Sequence, residues 1–161
     1  MQSDNLRLIN LNAVTSILQA FLWDLLRNTV ASESAPKIVI GTPTGQRSEI
    51  VALALALIAV ESGYRSLYFG PNLPANDIAV AVKSNATQAV ALIFSDSEVD
   101  TGSASEIKKL RDKLDDDINI FVCTYGNSEI SELVKLAGIS VTTLNNFRQK
   151  LENLSTKEII R

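Results

Sequence analysis

The residues best placed to do chemistry stand in two short stretches. The first, Gly41-Thr-Pro-Thr-Gly45-Gln-Arg-Ser-Glu49, sets hydroxyls, an amide and a guanidinium between glycines and ahead of an apolar run. A glycine-rich turn that opens a helix can offer backbone N–H groups to an anion. The phosphate-loop pattern is nevertheless broken, because Gln46-Arg47 stand where Gly-Lys belongs, and the spacing is not that of a dinucleotide fingerprint either. Read from the residues alone, this is a tight loop whose glycines make its turns. The second stretch alternates carboxylates at Asp96, Glu98 and Asp100, a pattern that hard cations accept as oxygen ligands and that solvated loops also show. Asp96 would suit a phosphoacceptor, but no acid follows the first strand to share its magnesium ion, so that chemistry is set aside. Cys123 closes an apolar segment with no basic neighbour to stabilise a thiolate, and is expected to be buried and inert.

Composition narrows the field further. The 161-residue chain contains no histidine and one cysteine. Imidazole-assisted nucleophiles, His or Cys metal clusters and an internal disulfide are therefore excluded. A lone cysteine suits a reducing compartment. The formal charge of −3 and pI near 5.0 argue against a surface built to hold nucleic-acid phosphates. The amino-terminal sequence lacks the pattern of a secretory signal, and the longest unbroken apolar run, Ile50 to Val60, is short of a bilayer span. A cytoplasmic protein with no membrane contact, no metal site and no catalytic group is the expectation.

The elements that would position these loops follow a regular alternation. Residues 6–30 read as one helix, with Leu11, Val14, Leu18, Phe21 and Leu25 at three- and four-residue steps and Ile17, Leu22, Trp23 and Leu26 widening the stripe. A small polar linker ends at Pro36. Strands are expected at Lys37–Gly41, Arg65–Phe69, Ala89–Phe94, Ile118–Cys123 and Ile139–Thr142. Helices are expected from Arg47 to Glu61, closed by Gly63; from the Gly70–Pro74 turn to Ser84; from a capping box at Ser103 and Glu106 to the acidic run at Asp115; from Asn127 or Ser128 to Gly138; and from Asn145 to Leu154. This implies a flavodoxin-like (Rossmann-like) α/β fold, a five-stranded parallel sheet of order 2-1-3-4-5 preceded by one long helix. The division is 1–31 for the helix and 37–161 for the α/β domain. Ligands of such sheets sit at the strand carboxyl ends, which directs attention to the loops after the first four strands.

The run GTPTGQRSEIV, ALALALIAVESGY, RSLYFGPNLP and ANDIAVAVK resembles the cobalamin-binding domain family, closest to the C-terminal sensory domain of MerR-type cobalamin- or light-responsive transcription regulators. That family carries GTP-x-G-E-x-H-E-L-G, an apolar helix, GW or GY, and a strand ending L-G-P-x-x-P. The resemblance covers the chain from Gly41 to about Leu154, and Phe21–Arg27 resembles the last helix of the family's helical bundle. It implies a corrinoid site at Thr42, Gly45, Gln46, Arg47, Ser48, Ser95 and Gly126. Several of its elements are altered. Ser48 stands in place of the cobalt-ligating His, Gln46 in place of the acid and Val51 in place of the following glycine. Ile93 replaces the serine of the third strand, although Ser95 and Ser97 lie close by; Cys123-Thr124 replace the paired glycines after strand four; and the bundle's Glu-His pair is missing.

A hydroxyl is a poor substitute for imidazole as a cobalt ligand. The function expected is therefore a non-catalytic regulatory domain of a MerR-type regulator, or a stand-alone derivative, with a degenerate site, no cofactor, and action through protein contacts. The chain has no helix-turn-helix and is not expected to bind DNA itself. Homodimerisation, or contact with a partner regulator, is expected through Leu11, Val14, Leu18, Phe21, Leu22 and Leu25. The alternative is a sensor that takes cobalamin without the His, or another small ligand, at the strand ends. An inward-pointing Arg47 would favour that alternative, and bulky Ile93 and Val51 would oppose it.

Overall fold

A computed structural model describes residues 2–29, 31–95, 101–125 and 139–159. Helix α1 spans Gln2–Asn28, and the α/β body follows as β1 (Lys37–Gly41), α2 (Glu49–Glu61), β2 (Arg65–Tyr68), α3 (Ala75–Ser84), β3 (Ala89–Ser95), α4 (Thr101–Lys113), β4 (Asn119–Tyr125), β5 (Ser140–Thr143) and α5 (Leu144–Ile159). The strands form one sheet of order β2-β1-β3-β4-β5. All neighbours pair in parallel, with Val39 opposite Leu67 on one side and Val90 on the other. The sequence periodicity had implied this architecture, because the strands are apolar without interruption and must be covered on both faces. The expected helix between Asn127 and Gly138 lies outside the described residues.

Alternation along the strands divides the core. Val39, Val90, Leu92, Ile120 and Val122 face α3 and α4, meeting Ile78, Val82, Ile107 and Leu110. Ile38, Ile40, Ala91, Ile93 and Phe121 face α2 and α5, meeting Leu55, Ala59, Phe147 and Leu151. Phe121 and Phe147 meet edge to face, with ring centroids 5.7 Å apart. Helix α2 is apolar around most of its surface because the sheet, α5 and α1 all pack on it. Its end is a Schellman turn. Gly63 takes φ 87°, and the N–H groups of Gly63 and Tyr64 reach the carbonyls of Val60 and Ala59.

One expectation is corrected here. Ser103 does not stand at the start of α4, since it lies buried inside that helix, whose described residues run from Thr101 to Lys113 and end before the acidic run. Glu106 caps a different helix. Its Oε2 accepts the N–H of Ala75 at 3.2 Å, so it serves the first turn of α3, where Pro74 has no side-chain hydrogen bond to offer. The apolar residues of α1 also separate into two sets. Trp23 turns inward to meet the Tyr68 ring at 5.4 Å, and Leu26 packs on the α2 face of the core. Leu11, Val14, Leu18, Phe21 and Leu25 remain exposed, while Leu22 is half-buried. By length and composition alone, Arg7–Asn28 is apolar enough to cross a bilayer, with mean hydropathy 1.2. A search for unbroken apolar runs overlooks this segment, because Asn10, Asn12, Ser16 and Gln19 interrupt it.

Candidate functional site

The carboxyl ends of β1, β2 and β3 meet where the loops 42–48 and 69–74 leave the sheet. Thr42 and Gln46 are fully buried there, and Ser95 is nearly so. A chain of hydrogen bonds joins all three strands. The carbonyl of Thr42 accepts the N–H of Leu73 at 2.8 Å, which extends the β1–β2 pairing into the loops as a bridge between Pro43 and Leu73. The Thr42 hydroxyl accepts the N–H of Asn72 at 2.9 Å and donates to the Gln46 carbonyl at 2.8 Å. The Asn72 Oδ1 accepts the N–H of Gly45 at 2.8 Å. The Gln46 Oε1 reaches across to accept the N–H of Ser95, the last residue of β3, at 2.7 Å.

Glycine is favoured at two points of this cluster. Gly45 adopts φ 85°, which an L side chain rarely tolerates, and a Cβ at Gly41 would lie 3.1 Å from the Leu73 side chain. Asn72, with φ 60°, is the clamp that sequence reasoning missed. Its signal was available, since asparagine in Gly-Pro-Asn-Leu-Pro is a residue that tolerates the left-handed region and bonds nearby backbone.

Of the residues implied by the resemblance, Thr42, Gly45, Gln46 and Ser95 are therefore brought together. Arg47 is exposed, and Ser48 is half-buried at the start of α2. Ile93 is fully inside the core and Val51 packs against it. Gly126, like Asp96, Ser97, Glu98 and Asp100, lies outside the described residues.

Two described groups in the surroundings, Cys123 and Tyr68, have shifted acid–base character. Burial pushes the Cys123 thiol well above its usual range, only partly offset by Lys150, so it stays protonated. Burial, and secondarily the charge of Glu49, pushes the Tyr68 phenol upward as well. Among the described residues, no group of three His, Cys, Asp or Glu side chains is placed to hold a metal ion. A corrinoid held through a lower imidazole does not fit the residues present. The chain has no imidazole, Ser48 offers a weak hydroxyl, and Gln46 is committed to β3. Among the described residues, open cavities lie at the amino ends of the strands. One of about 320 Å³ is lined by Asn119, Ser140 and Lys150, and one of about 370 Å³ by Arg27, Val60, Arg65 and Ser66.

No family model matches the sequence, and no curated protein matches it. Solved structures do match. A cobalamin-binding protein from Desulfitobacterium hafniense DCB-2 superposes with TM-score 0.60 at 16% identity, over 76% of this chain and 59% of that one. The monomethylamine corrinoid protein of Methanosarcina barkeri superposes with TM-score 0.64 at 15% identity, over 88% of this chain and 67% of that one. A flavodoxin-like domain from Synechococcus gives TM-score 0.50 at 12% identity, over 77% of this chain and 99% of that one. The chain thus spans about three fifths of the Desulfitobacterium protein and two thirds of the Methanosarcina one. At these identities the likeness is one of fold: the chain has the doubly wound architecture that cobalamin-binding domains and flavodoxin-like domains share.

Proposed function

We propose that this chain is a non-catalytic regulatory module on a cobalamin-binding type of fold, whose strand-end site is closed by its own side chains and which works through protein contacts. The setting is a MerR-type transcription regulator, or a stand-alone derivative of one, in the reducing cytoplasm. The observation that carries the reading is the buried Gln46 side chain, which occupies the strand end and satisfies the Ser95 N–H that an incoming ligand would otherwise meet. A buried amide bonded in this way is costly to displace, because the N–H left behind loses its partner. The exposed position of Arg47 and the bulk of Ile93 support the same reading over a small-ligand sensor.

The test is size-exclusion chromatography after incubation with hydroxo-, methyl- or adenosylcobalamin in the dark, with visible absorbance recorded across the protein peak. Colourless protein is expected with all of them. Corrin absorbance co-eluting in stoichiometric amount overturns the reading and makes the protein a sensor that takes cobalamin without histidine.

A further inference from the structure

Helix α1 meets the body through its carboxyl-terminal half, at Gln19, Trp23 and Leu26. Gln19 Nε2 donates to Glu49 Oε2 at 3.0 Å at the start of α2, while Leu26 and Arg27 share a cavity wall with Val60 near its end. The two helices therefore run side by side in the same direction. The described residues before Thr15 therefore extend ahead of the beginning of α2, toward the carboxyl-edge side of the sheet. Every residue from Arg7 to Val14 is exposed, so the described residues leave this part of the helix largely uncovered.

The apolar residues left outside are not scattered. Leu11, Val14, Leu18, Phe21 and Leu25 follow alternating three- and four-residue steps, the spacing of a coiled-coil seam, and Ile17 flanks them. At 3.6 residues per turn this stripe is centred about 125° around α1 from Gln19, Trp23 and Leu26, and docking onto α2 leaves it exposed. Leu11, Val14 and Ile17 are 61%, 61% and 70% exposed, and Phe21 58%. With Leu18 and Leu25 these side chains present on the order of 650 Å² of apolar surface, about 1,300 Å² for two chains, within the range of specific protein interfaces.

We propose that a second copy of this chain covers the stripe, with the two α1 helices antiparallel and crossing at Leu18. Leu11 of one copy then packs beside Leu25 of the other, and each projecting segment lies on the docked half of its neighbour. The antiparallel arrangement opposes the helix dipoles and sets Arg7 near the carbonyl end of the neighbouring helix. A bilayer is the less suited occupant. The Gln19–Glu49 hydrogen bond and the Trp23–Tyr68 contact hold half of the segment on a water-facing body, and asparagines interrupt the rest. This inference names the partner in the proposed function and rests on that reading for its regulatory meaning; the pairing itself does not depend on the strand-end site.

The test is light scattering of the full chain across a hundredfold concentration range, alone and with Leu18→Glu or Phe21→Glu. The expected mass is twice the 17.5 kDa of one chain. Each substitution should return it to a single chain with unchanged far-ultraviolet dichroism. Oxidation of a mixture of Leu11→Cys and Leu25→Cys chains should give predominantly the mixed disulfide, the buried native thiol staying out of reaction. A single-chain mass at every concentration overturns the pairing, as does co-flotation of an otherwise monomeric chain with phosphatidylcholine–phosphatidylglycerol vesicles. A self-linked Leu11→Cys dimer overturns the antiparallel arrangement. These results are independent of corrin binding, which is read by colour, so the two proposals fail separately.

Discussion

Gln46 is the residue whose replacement tests most directly how the strand ends are closed. Its side chain is fully buried, and its Oε1 is 2.7 Å from the N–H of Ser95. Gln46→Ala leaves that N–H without its acceptor, at a cost of about 1–3 kcal/mol for a buried donor. The space vacated by the amide adds about 1 kcal/mol if the loop relaxes only in part. The backbone contacts of residue 46, including the bond from the Thr42 hydroxyl, survive the change, so the loss should come to about 2–4 kcal/mol. With a denaturant slope of about 2 kcal/mol per molar urea, the unfolding midpoint falls by about 1–2 M. Gln46→Leu restores volume without an acceptor and should recover only the cavity part. Thr44→Ala, at an exposed position of the same loop, should stay within about 0.5 kcal/mol of the parent. Urea unfolding followed by Trp23 fluorescence and by far-ultraviolet dichroism reads all three variants. Midpoints for Gln46→Ala and Gln46→Leu within 0.3 M (about 0.6 kcal/mol) of the parent would refute the reasoning, since the amide would then not be what holds the loop to β3.

Two further changes probe the framework around the site. Tyr64→Phe removes a hydroxyl that donates to the Leu151 carbonyl at 3.3 Å and accepts from the Ser155 hydroxyl at 3.0 Å. Because Ser155 can still donate to that carbonyl, the loss should be about 1 kcal/mol, a fall of about 2–4 °C in melting temperature by calorimetry. Glu106→Gln tests the shared cap of α3. The Lys109 ammonium first, and the Ala75 N–H second, hold the Glu106 carboxyl below its usual range. A depressed carboxyl stabilises the fold above its unfolded-state pKa and loses that contribution as pH falls through the folded value. The variant should therefore be less stable than the parent at pH 7, and urea midpoints of the two should converge as pH drops below the normal carboxylate range.

The fold was legible because its signals are local. Uninterrupted apolar runs such as AVALIF demand a strand covered on both faces, and Gly63 marks the end of α2 through its left-handed turn. Single-residue assignments were less secure where a side chain serves an element distant in sequence. The spacing of Ser103 and Glu106 suggested a cap within one helix, yet Glu106 caps α3, a partner that becomes adjacent only when both helices dock on the same sheet face.

The sequence by itself determined the doubly wound body, the absence of imidazole and the glycines of the strand-end loops. These follow from periodicity, composition and backbone sterics, which act between near neighbours. Only the tertiary structure decided that Gln46 would bond the Ser95 N–H at the end of β3, that Asn72 would clamp the loop beside it, and that α1 would turn Trp23 and Leu26 inward while leaving the Leu11–Leu25 stripe outside. Each of these depends on which surface of one element meets another. A helix with apolar residues on two faces does not specify which face it buries until the sheet and α2 present a complementary site.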